Sequence, residues 1–188
     1  MNPELETVTG VRAYDPKHLL DAYHKWHTLG GAWVDITAQA HAAVAGANWS
    51  GTGHNDSVEA HRSDWTAANS RFSNLKGDAQ YAEKSYHDLI NERDNLLRGV
   101  DEAQQQGFVV LDDFTAQPNT KDPIVAVLKQ GQAAQLTSQL TAQATQLMTH
   151  DGEVGAELTE RAAAYSPIPD WKPPHHDDPN WRHLEPAT

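Results

Sequence analysis

The 188-residue chain sets 26 acidic side chains against 14 Lys or Arg, a formal net charge of -12, which argues against a general nucleic-acid binder because phosphate neutralisation needs cations. It contains no cysteine, which excludes disulfide scaffolds, cysteine zinc sites, iron–sulfur clusters and thiol nucleophiles together. The length suits one ordinary domain, and an apolar content of only 38% points to an elongated body.

The N-terminus, Met1-Asn2-Pro3-Glu4-Leu5-Glu6, has neither the basic nor the apolar region of a Sec signal. No run approaches the roughly 18 apolar residues of a membrane span, so no membrane insertion is expected. Residues 1–14 carry no sustained periodicity and read as an N-terminal arm. Asp15-Pro16 then supplies an acidic N-cap and a proline for the first turn of a helix over 15–46. Leu19, Ala22, Trp26, Leu29, Trp33, Ile36, Ala40 and Ala43 follow at alternating steps of three and four, and this stripe is expected to be the helix seam. Gly30-Gly31 in its middle cost about 1 kcal/mol each relative to Ala, so they serve either a close helix approach or a bend.

The stretch Gly46-Ala47-Asn48-Trp49-Ser50-Gly51-Thr52-Gly53 fits a tight helix–helix connection, and Asn55 or Asp56 is expected to cap a second helix ending at Gly107. Its stripe runs Val58, His61, Trp65, Ala68, Phe72, Leu75, Ala79, Ala82, Tyr86, Leu89, Arg93, Leu96, Val100 and Ala103, polar only at His61 and Arg93. An unpaired polar group there would be costly, so both need a partner. At 1.5 Å per residue this helix reaches about 75–80 Å, well beyond the first, and an antiparallel pair with such an overhang requires a third partner. Phe108 to Ala116, β-prone on both sides of Asp112-Asp113, predicts a small β-like connector over 108–122, with the two acids in a turn. Asp122-Pro123 repeats the cap-plus-proline start for a third helix over 123–165, with Ile124, Val127, Leu128, Leu136, Leu140, Leu147, Val154, Leu158 and Tyr165 as its stripe. The remainder, 166–188, holds six prolines and reads as an extended Pro/His-rich tail. The fold class is therefore all-α: an elongated antiparallel helical hairpin with a third long helix.

Trp49-Ser50-Gly51, set between two long amphipathic helices, resembles the Trp-X-Gly helical-hairpin family of type VII (ESX) secretion. Gly107 to Thr115 also looks like the element that follows the hairpin in longer actinobacterial and mycobacterial members, so 15–107 matches the hairpin and 108–165 the extended form. The resemblance implies that Trp49 closes the open end of the hairpin and Gly51 permits the reversal. It implies a non-enzymatic secreted substrate or partner that pairs with itself or another such hairpin, possible contacts being secretion machinery or an effector. It also implies a location outside the cell or at the envelope by a non-Sec route, after a cytoplasmic stage. The family's export signal, Tyr-x-x-x-Asp/Glu, is missing here, because Tyr81 is followed four residues later by Ser85 and Tyr86 by Ile90.

Trp26, Trp33, Trp65, Phe72 and Tyr86 are the expected seam and interface anchors. No elbow serine, P-loop or His-Glu-x-x-His signature is present, so neither an enzyme nor a cofactor is expected. His24 and His27 share a helix face, and His175, His176 and His183 cluster in the tail, but without convergence these are weak metal candidates. Two alternatives stand beside the secretion reading. One is an intracellular adaptor binding an effector through helix three and the tail; the other is a metal-binding protein using the tail histidines.

Overall fold

The computed structural model describes residues 3–164; the tail beyond, with Tyr165, Trp171, Trp181 and the candidate ligands His175, His176 and His183, lies outside the described residues. A 3-10 turn (Pro3–Glu6) leads into α1 (Val8–Ala13), α2 (Lys17–Ala45), α3 (Thr52–Gln105), β1 (Phe108–Val110), β2 (Ala116–Pro118) and α4 (Pro123–Ala163). The fold is all-α, with three long helices and one small antiparallel hairpin that pairs Phe108 with Pro118 and Val110 with Ala116.

The 54 residues of α3 form a spine about 80 Å long. Its N-terminal half lies antiparallel to α2, with Val44 near His54, His41 near Trp65 and Gly30 against Phe72. Its C-terminal half lies antiparallel to α4: Arg161 meets Asp78, His150 meets Glu92, Leu140 lies over Gly99 and Lys129 reaches the Gln106 carbonyl. The overhang of the hairpin is thus covered by the third helix. Buried apolar residues concentrate in that C-terminal half, where Leu89, Leu96 and Val100 of α3 pack with Leu140, Ala144, Leu147 and Val154 of α4.

The N-terminal segment is part of this core, which corrects the reading of residues 1–14 as an arm. Leu5, Val11 and Tyr14 are buried among the α3 and α4 residues. Too few residues for a helical period to register are involved, and they are held by specific bonds instead. The Thr9 N–H and Oγ1 both donate to Asp112 Oδ1 at 2.8 Å, and the Val8 N–H donates to the Asp112 carbonyl at 2.8 Å. Asp112 in the β-turn therefore caps a helix 100 residues earlier in the chain. Its neighbour Asp113 accepts from the Thr115 N–H at 3.0 Å, and the backbone bond to Thr115, reinforced by its side chain, holds the Asp113 carboxyl below its usual range.

Three further expectations need correction. Asp15 makes no cap: α2 begins at Lys17 after Pro16, which is fully buried and carries no side-chain cap bond. The second helix starts earlier than Asn55 or Asp56, at Thr52, with Gly51 as its cap residue. Ile124, Val127 and Leu128, expected to open the α4 stripe, are 71%, 70% and 78% exposed. Lys129 already reaches Gln106, so the two turns before it extend past the end of α3, with no helix to pack upon. The Asp122-Pro123 start is as read, with Asp122 Oδ1 accepting from the Ile124 N–H at 2.9 Å.

The two glycines of α2 differ in kind. A Cβ at Gly30 would fall 2.3 Å from Phe72 Cδ2, whereas one at Gly31 meets nothing within 4 Å. Gly30→Ala should therefore lose about 1 kcal/mol net, as overpacking outweighs the gain in helix propensity. Gly31→Ala should gain about 0.5–1 kcal/mol. Opposite shifts in melting temperature would check the pair.

Candidate functional site

Helix α2 sorts its apolar residues onto two neighbouring lines. The line facing α3 passes through the buried Gly30 and the half-buried Val34, Thr37, Ala38, His41 and Val44. The second line, Leu29, Trp33 and Ile36, is 58%, 55% and 65% exposed, and Ala40 and Ala43 continue it, also exposed. The seam read from the sequence is therefore displaced by about one position beyond Trp26. A strict three–four repeat drifts about 20° per heptad around a straight helix. The close approach at Gly30 fixes which line meets α3.

This part of the molecule is a two-helix arm that α4 does not reach. From Thr28 to Ala47 its α2 side has one charged residue, Asp35, in a chain that is 21% charged overall. Full burial of each large side chain on the exposed line would contribute roughly 1.5–3 kcal/mol. The arm thus presents an apolar line, Leu29, Trp33 and Ile36, with nothing over it among the described residues.

The arm ends in the motif that carries the family resemblance. Gly51 has φ +117°, where an L side chain is strained, so the reversal into α3 depends on glycine at this position. Trp49 is half exposed; its ring meets His54 edge-on at 5.1 Å, and the His54 Nε2 lies 3.2 Å from the Val44 carbonyl. The indole lies against the first turn of α3 and leaves one side open.

The other expected anchors are distributed along the arm. Trp26 is half-buried, Phe72 packs on Gly30, Trp65 stacks on the His41 ring at 6.1 Å while remaining partly exposed, and Tyr86 borders the main core. His24 and His27 contact Tyr23 at 5.0 and 6.0 Å, and His27 also contacts Phe72. Among the described residues no group of three or more His, Asp or Glu is placed to hold a metal ion. Arg93 finds its partners locally, donating to the Tyr14 carbonyl at 2.9 Å and to Asp94. His61 is half-buried on α3.

A polar cluster at the base of the arm was not legible in the sequence, because its members are far apart in the chain. The Tyr14 hydroxyl donates to Asp151 Oδ1 at 2.6 Å, and His150 Nδ1 lies 3.1 Å from Glu92 Oε1. Beside it a recess of about 360 Å³ is lined by Glu4, Tyr14, Asp15, His18 and Asp151. The cluster fastens α4 to α3 and to the N-terminal segment. Burial first, then the bond to Asp151, raises the Tyr14 phenol above its usual value of 10.0. The folded state therefore favours the protonated phenol, and that stabilisation is complete below pH 10 and is lost as pH rises above it. Tyr14→Phe should cost about 1–2 kcal/mol at neutral pH by stripping Asp151 of its donor. Chemical denaturation across pH should show the gap between variant and parent narrowing in alkali.

Three uncharacterized mycobacterial proteins, two from Mycobacterium tuberculosis strains and one from Mycobacterium bovis, are each 24% identical to this chain over 156 residues, which cover 82% of it. The chain spans about half the length of these relatives, 48% of each. No protein family and no solved structure matches it. No helix among the described residues is long and apolar enough to cross a membrane.

Proposed function

We propose that this chain is a helical interaction protein associated with type VII (ESX) secretion, a substrate or a partner that acts through its arm. The observation that carries this reading is the exposed Leu29–Trp33–Ile36 line on an uncharged helix face, a surface made for helix-on-helix packing. The Trp49-Ser50-Gly51 reversal and the mycobacterial origin of the relatives support the family side of it. Its partner is a second hairpin, and the mechanism is packing rather than chemistry. Since neither Tyr81 nor Tyr86 is followed by an acid at the fourth position, and Arg161 covers the Tyr81 ring at 4.4 Å, export depends on a partner that carries the signal.

The test is export from a mycobacterial host with and without a functional type VII system. Trp49→Ala with Gly51→Ala should abolish appearance in the culture filtrate while the cellular protein stays helical. Undiminished export of that double variant, or export independent of the system, would sink the proposal. A second reading, an intracellular adaptor for an effector, is favoured by one observation, the bare Ile124–Val127–Leu128 face at the start of α4. Under it, Leu128→Asp should abolish effector capture and leave the arm indifferent to mutation.

A further inference from the structure

The large apolar side chains left exposed among the described residues fall into two groups at opposite ends of α3. One is the arm, with Leu29, Trp33 and Ile36 on α2, Trp49 at the reversal and Trp65 on α3. The other is the far end, with Ile124, Val127 and Leu128 on the first turns of α4 and Val109 and Leu111 at the β-hairpin. The body between them exposes none of this size among the described residues. A rod with bare apolar groups at both ends can bury both of them on copies of itself set end to end.

The register of the arm fits this arrangement. Arg161 of α4 faces Asp78, and Gly30 of α2 faces Phe72. Continuing both registers along α3 puts Leu29 about 5 Å beyond the end of α4 at Ala163. A helix that begins where α4 stops, and runs in the same direction, therefore has its first turn at Leu29. The start of α4 from a second copy matches the line step for step. Leu29, Trp33 and Ile36 advance by four and three, as do Ile124, Leu128 and Gly131. Gly131 is exposed, and a Cβ there would meet nothing within 4 Å, so this turn leaves room for the side chains of the opposing helix.

Charge favours this pairing over like ends meeting. Copies with a net charge of -12 repel, so contact is least opposed where acids are fewest. Residues 123–149 of α4 hold no Asp or Glu and one cation, Lys129. Lys121 precedes them, and the Asp122 carboxylate beside it is engaged in capping α4. Where α4 ends, Glu160 is exposed in the last turn and makes no ion pair among the described residues, so it opposes the dipole of its own helix. The helix start of the next copy, with Lys121, supplies positive charge at that point. Two far ends set together would instead bring Lys121 and Lys129 against their equivalents.

We infer that the chain associates with itself head to tail, the Ile124–Val127–Leu128 start of α4 in one copy packing on the Leu29–Trp33–Ile36 line of the next. The contact is heterologous, so it propagates instead of closing as a symmetric dimer. It shares with the proposed function the premise that the arm line docks a helix, and it does not depend on secretion.

The test is the molar mass of the full chain by light scattering between about 10 µM and about 1 mM, the range for a contact this small. The mean mass should rise past that of a dimer with concentration. Trp33→Asp and Leu128→Asp, both at exposed positions, should each leave a helical monomer, yet their mixture should form a one-to-one pair and grow no further, because each chain keeps one intact end. A parent that stays monomeric throughout, or a mixture that does, would overturn the inference. A Leu128→Asp variant that still dimerises would also overturn it and leave the arm standing as a docking face for another hairpin. The absence of native cysteine permits a second measurement. Trp33→Cys chains mixed with Leu128→Cys chains should give the mixed disulfide several-fold in excess of either homodimer on mild oxidation, and no excess of the mixed species would count against the contact.

Discussion

Replacing Leu96 with alanine is expected to remove about 2–5 kcal/mol of stability, a large share of the 5–15 kcal/mol typical of a single domain. Leu96 is fully buried on α3 and belongs to the cluster that joins the N-terminal segment, the β-turn residue Phe114 and α4. Most of the large buried side chains among the described residues are in this cluster, Phe108 and Pro16 standing outside it, so a cavity here falls in the main core. Leu128→Ala, on the bare first turns of α4, should change stability by no more than about 0.5 kcal/mol. Urea denaturation followed by far-UV circular dichroism would compare the two. Equal losses would mean that the start of α4 is buried in solution and that the division of the molecule into a packed body and a thin arm is mistaken.

Gly10→Ala should be nearly as damaging, by a different route. A Cβ at Gly10 would fall 1.6 Å from the Glu4 carbonyl oxygen, a backbone atom that cannot rotate away. Relief requires the 3-10 turn and α1 to separate, and that movement withdraws Leu5 and Val11 from the core. We expect a loss of about 3 kcal/mol, at the upper end for overpacking, although alanine is the better helix former. Thermal unfolding would register it, and proteolysis would begin within the first fourteen residues. A variant as stable as the parent would show that the segment tolerates a different path to the same contacts.

Much of the architecture was legible because long helices repeat their signal. The α3 stripe reads from Val58 to Ala103, and Arg93, one of its two polar members, finds a partner at the Tyr14 carbonyl. Short elements left no such trace. Six residues of α1 span less than two turns, and they are held by the Thr7 cap, by the burial of Leu5 and Val11 and by an aspartate from a turn a hundred residues away. The α2 seam misled for another reason: two adjacent lines are both apolar, and the choice between them rests on the absence of a side chain at Gly30 opposite Phe72. Periodicity shows that a face exists, while small residues decide how close a neighbour comes. The same ambiguity explains the candidate site. Trp33 was expected in a seam, and its exposure is visible only once the approach of α3 is known.

The bond between Tyr14 and Asp151 joins residues 137 apart, and this separation sets an order of events during synthesis. The hairpin of α2 and α3 closes through contacts between chain neighbours and can form while translation proceeds. Leu5, Val11 and Tyr14 have no complete binding place until α4 has left the ribosome, on the order of ten seconds later at typical elongation rates. For that interval the nascent protein presents its N-terminal apolar residues beside an already formed rod. Any factor that must recognise the chain before it is finished therefore meets a different surface from the one the completed molecule displays.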